Sequence, residues 1–167
     1  MRIDKLSGFT LIELIVVMAI IIILSGMSLA AYFRFSQRQA AMNDARNFAT
    51  EIKKVQAMAK NLVYPPGCGS GLERYRLISD CIEEGCTTMS VYAICDDTPI
   101  EVKIGEEVLA KSFFTDLVDI SFAAGTGTIS PVGSFPLSNT ADEYTVVVTI
   151  DQIGNISTQE YETNPFL

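Results

Sequence analysis

Glu13 is the only charged residue between positions 9 and 33, where 20 of 25 residues are apolar and the run from 14 to 24 is unbroken. An ionised carboxylate inside hydrocarbon costs on the order of 2.5–3.5 kcal/mol on insertion scales. Such a residue needs a cationic partner, so its expected chemistry is ion pairing. Four cysteines, Cys68, Cys81, Cys86 and Cys95, fall in one 28-residue window. They can form disulfides or a Cys₄ zinc site, but zinc sites normally show tighter CxxC pairs, which favours disulfides and no metal. Asp96, Asp97 and Glu101 offer oxygen atoms to calcium, yet nothing around them matches an EF-hand loop, and a solvated acidic turn is the simpler reading. Glu83-Glu84 and Glu106-Glu107 read as exposed turn charges. Gly69-Ser70-Gly71 neither follows a strand nor opens a helix, so it is not a phosphate loop. The chain has no histidine, the commonest general base and metal ligand, and no hydroxyl or thiol nucleophile therefore has a histidine partner. No catalytic residue and no cofactor are expected, and the chain does not read as an enzyme.

These residues sit in a chain of 167 residues with a net charge of −8, the length of one domain. Charge divides it sharply. Residues 1–8 carry +1 and residues 9–33 carry −1. Residues 34–60 hold Arg34, Arg38, Arg46, Lys53, Lys54 and Lys60 against Asp44 and Glu51, a net of +4. Residues 61–167 hold four bases and sixteen acids, a net of −12. A body so acidic is a poor binder of polyanions, which need clustered Lys and Arg.

The apolar stretch reads as a helix roughly 37 Å long, enough to cross a hydrocarbon core of about 30 Å. A buried core helix is the alternative, disfavoured by apolar residues on every side. A cleaved secretory signal is a stronger rival, since a short basic start precedes the stretch and Ser28-Leu29-Ala30 is a small-residue site. Glu13 argues against it, because such an apolar region gains nothing from a carboxylate. Arg2 and Lys5 on one side face Arg34, Arg38 and Arg46 on the other, so loop charge leaves the orientation open.

The residues around Glu13 are Lys5-Leu6-Ser7-Gly8-Phe9-Thr10-Leu11-Ile12-Glu13-Leu14. This segment resembles the class III signal of type IV pilins and type II secretion pseudopilins, a likeness that covers the first thirty or so residues. The resemblance implies that a prepilin peptidase cuts between Gly8 and Phe9 on the cytoplasmic side and methylates the new amine of Phe9. Residues 1–8 would then be a leader, 9–33 a transmembrane and filament-core helix, and Glu13 the fifth residue of the mature chain. The new amine lies four residues before Glu13, a spacing at which the two charges can pair within one helix. They can equally pair between subunits stacked in a filament, which is what the family implies, giving Glu13 a role in assembly.

Between positions 9 and 60 there is no proline, and Ser25-Gly26 is the one weak point. Beyond the membrane half, Ala41, Ala45, Phe48, Ile52, Val55, Ala59 and Leu62 recur at steps of 4 and 3, one apolar stripe on an amphipathic helix over 34–62. A coiled coil would show such a stripe too, but small and aromatic residues in alternation suit packing on a sheet. Tyr64-Pro65-Pro66-Gly67 stops the helix, which from 9 to 62 would run roughly 80 Å. Residues 45–59 also resemble the corresponding helix of minor pseudopilins of the GspH/FimT type.

After residue 67 the period turns to alternation, predicting strands over 73–78, 88–95, 100–104, 108–114, 117–123, 144–150 and 155–161. Gly125 to Gly127 reads as a break and Asp151-Gln152-Ile153-Gly154 as a hairpin turn. If strands 73–78 and 88–95 pair, Cys81 comes opposite Cys86 at the neck and Cys68 falls near Cys95 at the open end. Bridges Cys81–Cys86 and Cys68–Cys95 are thus the choice among three connectivities. The fold class expected is α+β and pilin-like, one long N-terminal helix packed on an antiparallel β-sheet, with residues 63–167 as a disulfide-containing β-rich domain.

The resemblance implies a structural subunit, a pseudopilin or minor pilin of a type II secretion or type IV pilus filament. Its partners would be prepilin peptidase, other pilin or pseudopilin subunits and an inner-membrane assembly platform. It would sit as a single-pass protein in the cytoplasmic membrane with its C-terminal domain outside, then in an extracytoplasmic filament. Two departures lean away from a major pilin: there is no proline near Ala30, and the cysteines cluster just after the helix. The alternatives are a DNA-uptake minor pilin, which the acidic body disfavours, and a single-pass anchored domain with no filament role, in which Glu13 would have no purpose. No direct binding of nucleic acid is expected.

Overall fold

The computed structural model describes residues 10–66, 68, 71–80, 85–95, 98–139 and 144–162, with side chains at 26–28, 30, 31, 80, 98–100 and 162 left aside. One helix, α1, runs Leu11–Lys60, its backbone helical through 25 and 26. The chain divides into two compact units, Met1–Ser36 and Gln37–Leu167.

In the first unit, the described large apolar side chains from Leu11 to Leu24 are all exposed, from 47% at Val17 to 76% at Leu11. They cover every side of the helix. Among the described residues no helix is long and apolar enough to cross a membrane.

The second unit joins the rest of α1 to two antiparallel sheets, so the fold is α+β with a long N-terminal helix on antiparallel strands. The expectation of a single sheet gives way to two. The strands are β1 (Leu72–Asp80), β2 (Thr88–Cys95), β3 (Thr98–Val108), β4 (Ser112–Phe114), β5 (Asp119–Ala123), β6 (Ile129–Ser130), β7 (Gly133–Asn139), β8 (Tyr144–Ile150) and β9 (Ile156–Glu162). One sheet has the order β3-β2-β1-β5-β6 and the other β4-β7-β8-β9. Phe114 of β4 also exchanges backbone hydrogen bonds with Cys86, which stitches the second sheet to the chain entering β2.

The predicted stripe on α1 is the seam of this unit. Ala41, Ala45, Phe48, Ile52, Val55 and Ala59 are at most 1% exposed and share one core with both sheets. Phe48 meets Phe114 and Phe135 edge to face, at ring separations of 4.9 and 6.0 Å. Leu62, expected on the same stripe, is exposed instead, because the helix has already ended. Val63 N–H reaches Met58 O, Leu62 N–H reaches Ala59 O, and Leu62 takes φ +49°, the left-handed turn that closes a helix. Pro65 and Pro66 then prevent its resumption.

Several strand boundaries differ from expectation for identifiable reasons. The strands expected over 100–104 and 108–114 become β3, which continues to Val108, and a short β4. The break falls at 109–111, where Leu109 N–H bonds Thr87 O and the next two amides turn to Asp44 on α1. Glu106 and Glu107 therefore lie in β3 rather than in a turn. Strands β6 and β7 fall outside the expected set, and Pro136 within β7 is a residue that argues against strand. Pro136 is tolerated because β4 ends opposite Leu137, and beyond that point only the Pro136 carbonyl is used on this side, accepting from Thr115 N–H at 3.3 Å.

Candidate functional site

The described part of the predicted processing and assembly site begins at Thr10, so Gly8 and Phe9 lie outside the described residues. Thr10 is the N-cap of α1. Its side-chain oxygen accepts a hydrogen bond from Glu13 N–H at 3.4 Å, and its carbonyl accepts one from Leu14 N–H at 3.3 Å. Thr10-Leu11-Ile12-Glu13 thus has the Thr-x-x-Glu spacing of a capping box, a local signal distinct from the apolar run. Glu13 stands in the first helical turn, where a carboxylate is favoured by the positive end of the helix dipole. Its side chain is exposed, next to exposed Leu11, Ile12 and Leu14.

A helix apolar on all sides is normally covered by lipid or by other protein. Each large side chain left in water forfeits about 1.5–3 kcal/mol relative to full burial, and a dozen such residues flank Glu13. The surface around Glu13 is therefore a burial surface, with one carboxylate set into it near the start of the helix.

The body carries the cysteine expectations. Cys68 and Cys95 are joined, with Cα atoms 5.6 Å apart. The register agrees with it: Leu72 faces Cys95 across β1 and β2, and Cys68 lies four residues before Leu72. Cys86 is disulfide-bonded as well. Cys81 lies outside the described residues, as do Asp96, Asp97, Glu83 and Glu84.

The remaining candidate for calcium, Glu101, is engaged otherwise. Arg76 donates to it at 3.0 Å and grips Asp119 with two nitrogens at 2.8 and 2.6 Å. The hydrogen bonds from Arg76 hold the Asp119 carboxyl below its ordinary range against a smaller opposing effect of burial, and those bonds raise the guanidinium in turn. Among the described residues, no group of three or more His, Cys, Asp or Glu is placed to hold a metal ion.

Two polar residues of α1 that the stripe did not single out prove structural. Asp44, 3% exposed, accepts hydrogen bonds from Ala110 N–H at 3.2 Å and Lys111 N–H at 2.9 Å. Gln56 donates to Gly127 O at 3.1 Å and Ile153 O at 3.4 Å, tying α1 to a loop of each sheet. The predicted turn after β8 is built on Asp151, whose carboxylate accepts from Ile153 N–H, Asn155 N–H and the Asn155 side chain. Burial pushes the Asp151 carboxyl up, but these bonds, with one from Gly154, outweigh it and hold the group below its usual range.

A groove of about 410 Å³ runs between α1 and β3, lined chiefly by Met58, Val63, Tyr75, Val91, Val102 and Ile104. The Tyr75 hydroxyl bonds Val63 O at its edge, and burial raises the phenol's pKa. Glu51 and Lys54 also line it and are paired with each other at 3.0 Å.

Residues 5–29 match the family described as the prokaryotic N-terminal methylation motif. No curated protein and no solved structure matches the chain. The matched residues contain Gly8, Phe9 and Glu13, and the match supports a type IV pilin-like kinship for the N-terminal segment.

Proposed function

We propose that the chain is a structural subunit of a type IV pilin-like filament, a pseudopilin or minor pilin, assembled through its N-terminal helix. The observation that carries this reading is the methylation motif over residues 5–29, whose described part from Leu11 onward is a helix that exposes apolar side chains from Leu11 to Leu24. In this reading prepilin peptidase cuts between Gly8 and Phe9 and methylates Phe9. Residues 9–33 hold the subunit in the cytoplasmic membrane with the body outside, then exchange lipid for neighbouring helices as the filament grows. The burial surface is the same in both states, so transfer requires no refolding of the helix.

Glu13 gives that transfer its register. A carboxylate among apolar side chains is tolerated when it meets a cation, and the methylated amine of a neighbouring subunit supplies one. A helix shifted along its neighbour by one turn would leave both charges unpaired. The body, held together by its core and disulfides, would supply the filament's outer surface. The stripe over residues 45–59 supports a minor pseudopilin of the GspH/FimT type within this class.

The test is Glu13→Ala produced beside the wild type. Normal processing with filament incorporation reduced at least about tenfold is expected, the size of effect of losing one well-paired buried charge. Incorporation at wild-type level would show that Glu13 has no assembly role.

A further inference from the structure

We propose that the outer face of β7, β8 and β9, the one turned away from α1, is a docking platform for a neutral, extended glycan of the cellulose and chitin class. The inference concerns the body alone and stands whether or not the chain enters a filament. In an antiparallel sheet, directly opposed residues share a face, and neighbours along a strand alternate between faces. Val146, Val148 and Ile150 of β8 are buried with Leu137 in the core shared with α1. Glu160, opposite Val146 on that side, reaches Arg38 of α1. The other side therefore carries three rungs: Ser134, Thr149 and Ser157; Pro136, Val147 and Gln159; Ser138, Thr145 and Tyr161.

None of these nine residues is charged, in a body whose residues 61–167 hold sixteen acids and four bases. The outer face of the five-stranded sheet is built differently. There Lys103, Tyr92, Arg76 and Ser121 form one row, with Arg74 and Asp119 in the rows beside it. A surface depleted of charge, with an exposed tyrosine at 52% on its edge strand, has the character of a contact surface.

The residue types say what kind of contact. Three of the nine are Ser, which is depleted in protein–protein interfaces, and two more are Thr. Each hydroxyl supplies one donor and two acceptor lone pairs, the complement of a polyhydroxylated ligand. Ser134 bonds Thr149 at 3.1 Å, Ser138 bonds Thr145 at 3.0 Å, and the Tyr161 hydroxyl donates to Gln159 at 2.7 Å. These bonds hold the side chains before a ligand arrives, so less rotamer freedom is lost on binding. Pro136, Val147 and the Tyr161 ring offer apolar surface to the C–H faces of sugar rings.

The shape fits as well. Pairing through β7, β8 and β9 has no register shift, unlike the pairing of β1, β2 and β3, so the rungs repeat evenly. Their spacing is about 4.8 Å across the strands and about 6.8 Å along them. A flat glycan ribbon can lie along such an array. A polyanion cannot bind there, because the face offers no cation and the body around it is acidic.

The experiment measures retention of the full chain, solubilised from membranes, on insoluble cellulose and on chitin, at low and at high salt. Retention on at least one polymer, unchanged by salt, is expected, and the polymer that retains the chain shows whether the acetamido group is read. Tyr161→Ala and Ser157→Glu should each lower retention about tenfold, through loss of an aromatic anchor and burial of an unpaired charge. Both positions are exposed on the edge strand β9, and an unchanged melting temperature shows that the loss is not unfolding. Ser130→Glu, exposed on the other sheet, should leave retention within about twofold. Absence of retention on both polymers overturns the proposal. So does retention that falls with salt, that neither β9 variant lowers, or that Ser130→Glu lowers as much as they do.

Discussion

Asp44 shows how one side chain can fix a chain reversal. Its two oxygens take the amides of Ala110 and Lys111, which would otherwise be left without partners between β3 and β4. Asp44→Ala should cost about 1.5–3 kcal/mol, the loss of part-buried hydrogen bonds to a charged acceptor, read as a shift of the denaturant midpoint. A loss below about 0.5 kcal/mol would mean that water takes over both amides. Neither Asp44 nor Gln56 was legible in the sequence, because a polar residue beside an apolar stripe looks like the edge of the solvent face. What they bind lies more than sixty residues away. Glu13 differs, since a single charge in an unbroken apolar run is conspicuous without any structure. Its Thr10 cap was also legible, as a Thr-x-x-Glu spacing.

At the scale of elements, the end of α1 makes a counterintuitive case. Leu62 holds a left-handed conformation that costs a branched side chain roughly 1–2 kcal/mol, and its side chain is largely exposed. Leu62→Gly should therefore raise stability by about 1 kcal/mol, whereas Ile52→Ala, three stripe positions earlier, should lower it by about 2–5 kcal/mol. Thermal melts of the two variants moving in the same direction would contradict this account of the helix end. The Cys68–Cys95 bond closes a loop of 27-residue separation between the end of α1 and the end of β2. Its removal in a Cys68→Ser, Cys95→Ser pair should cost roughly 3–4 kcal/mol on the loop-closure estimate, checked by denaturation without reductant. These elements differ in how far the sequence disclosed them. The stripe and the strands β2 and β8 follow directly from periodicity, and the Cys68–Cys95 pairing follows from the first hairpin. The strands β6 and β7 do not, because Ser, Gly and Pro dominate them and their pairing is set by partners far along the chain. For the same reason alternation predicted strands but not their division into two sheets.

For the molecule as a whole, charge and apolar surface are separated along the chain. The acidic body makes stability depend on pH in a defined direction. Asp119 and Asp151 have folded pKa values below their ordinary value of 3.8, so both contribute stability above that value and lose it as pH falls through the depressed one. Melting temperature should be flat above about pH 5 and fall below about pH 4, with a shallower fall in Asp119→Asn. A steeper fall in that variant would reverse the sign assigned to the Arg76 pair. In the proposed function the apolar first unit is anchor and polymer interface and the packed second one is outward surface. That proposal depends on a cut at Gly8, which would create the cation proposed to pair with Glu13. The most direct measurement is the intact mass of the chain extracted from membranes with and without its prepilin peptidase. The account predicts loss of residues 1–8 and gain of one methyl group only when the peptidase is present. An uncut chain, or a cut near Ala30, would contradict it.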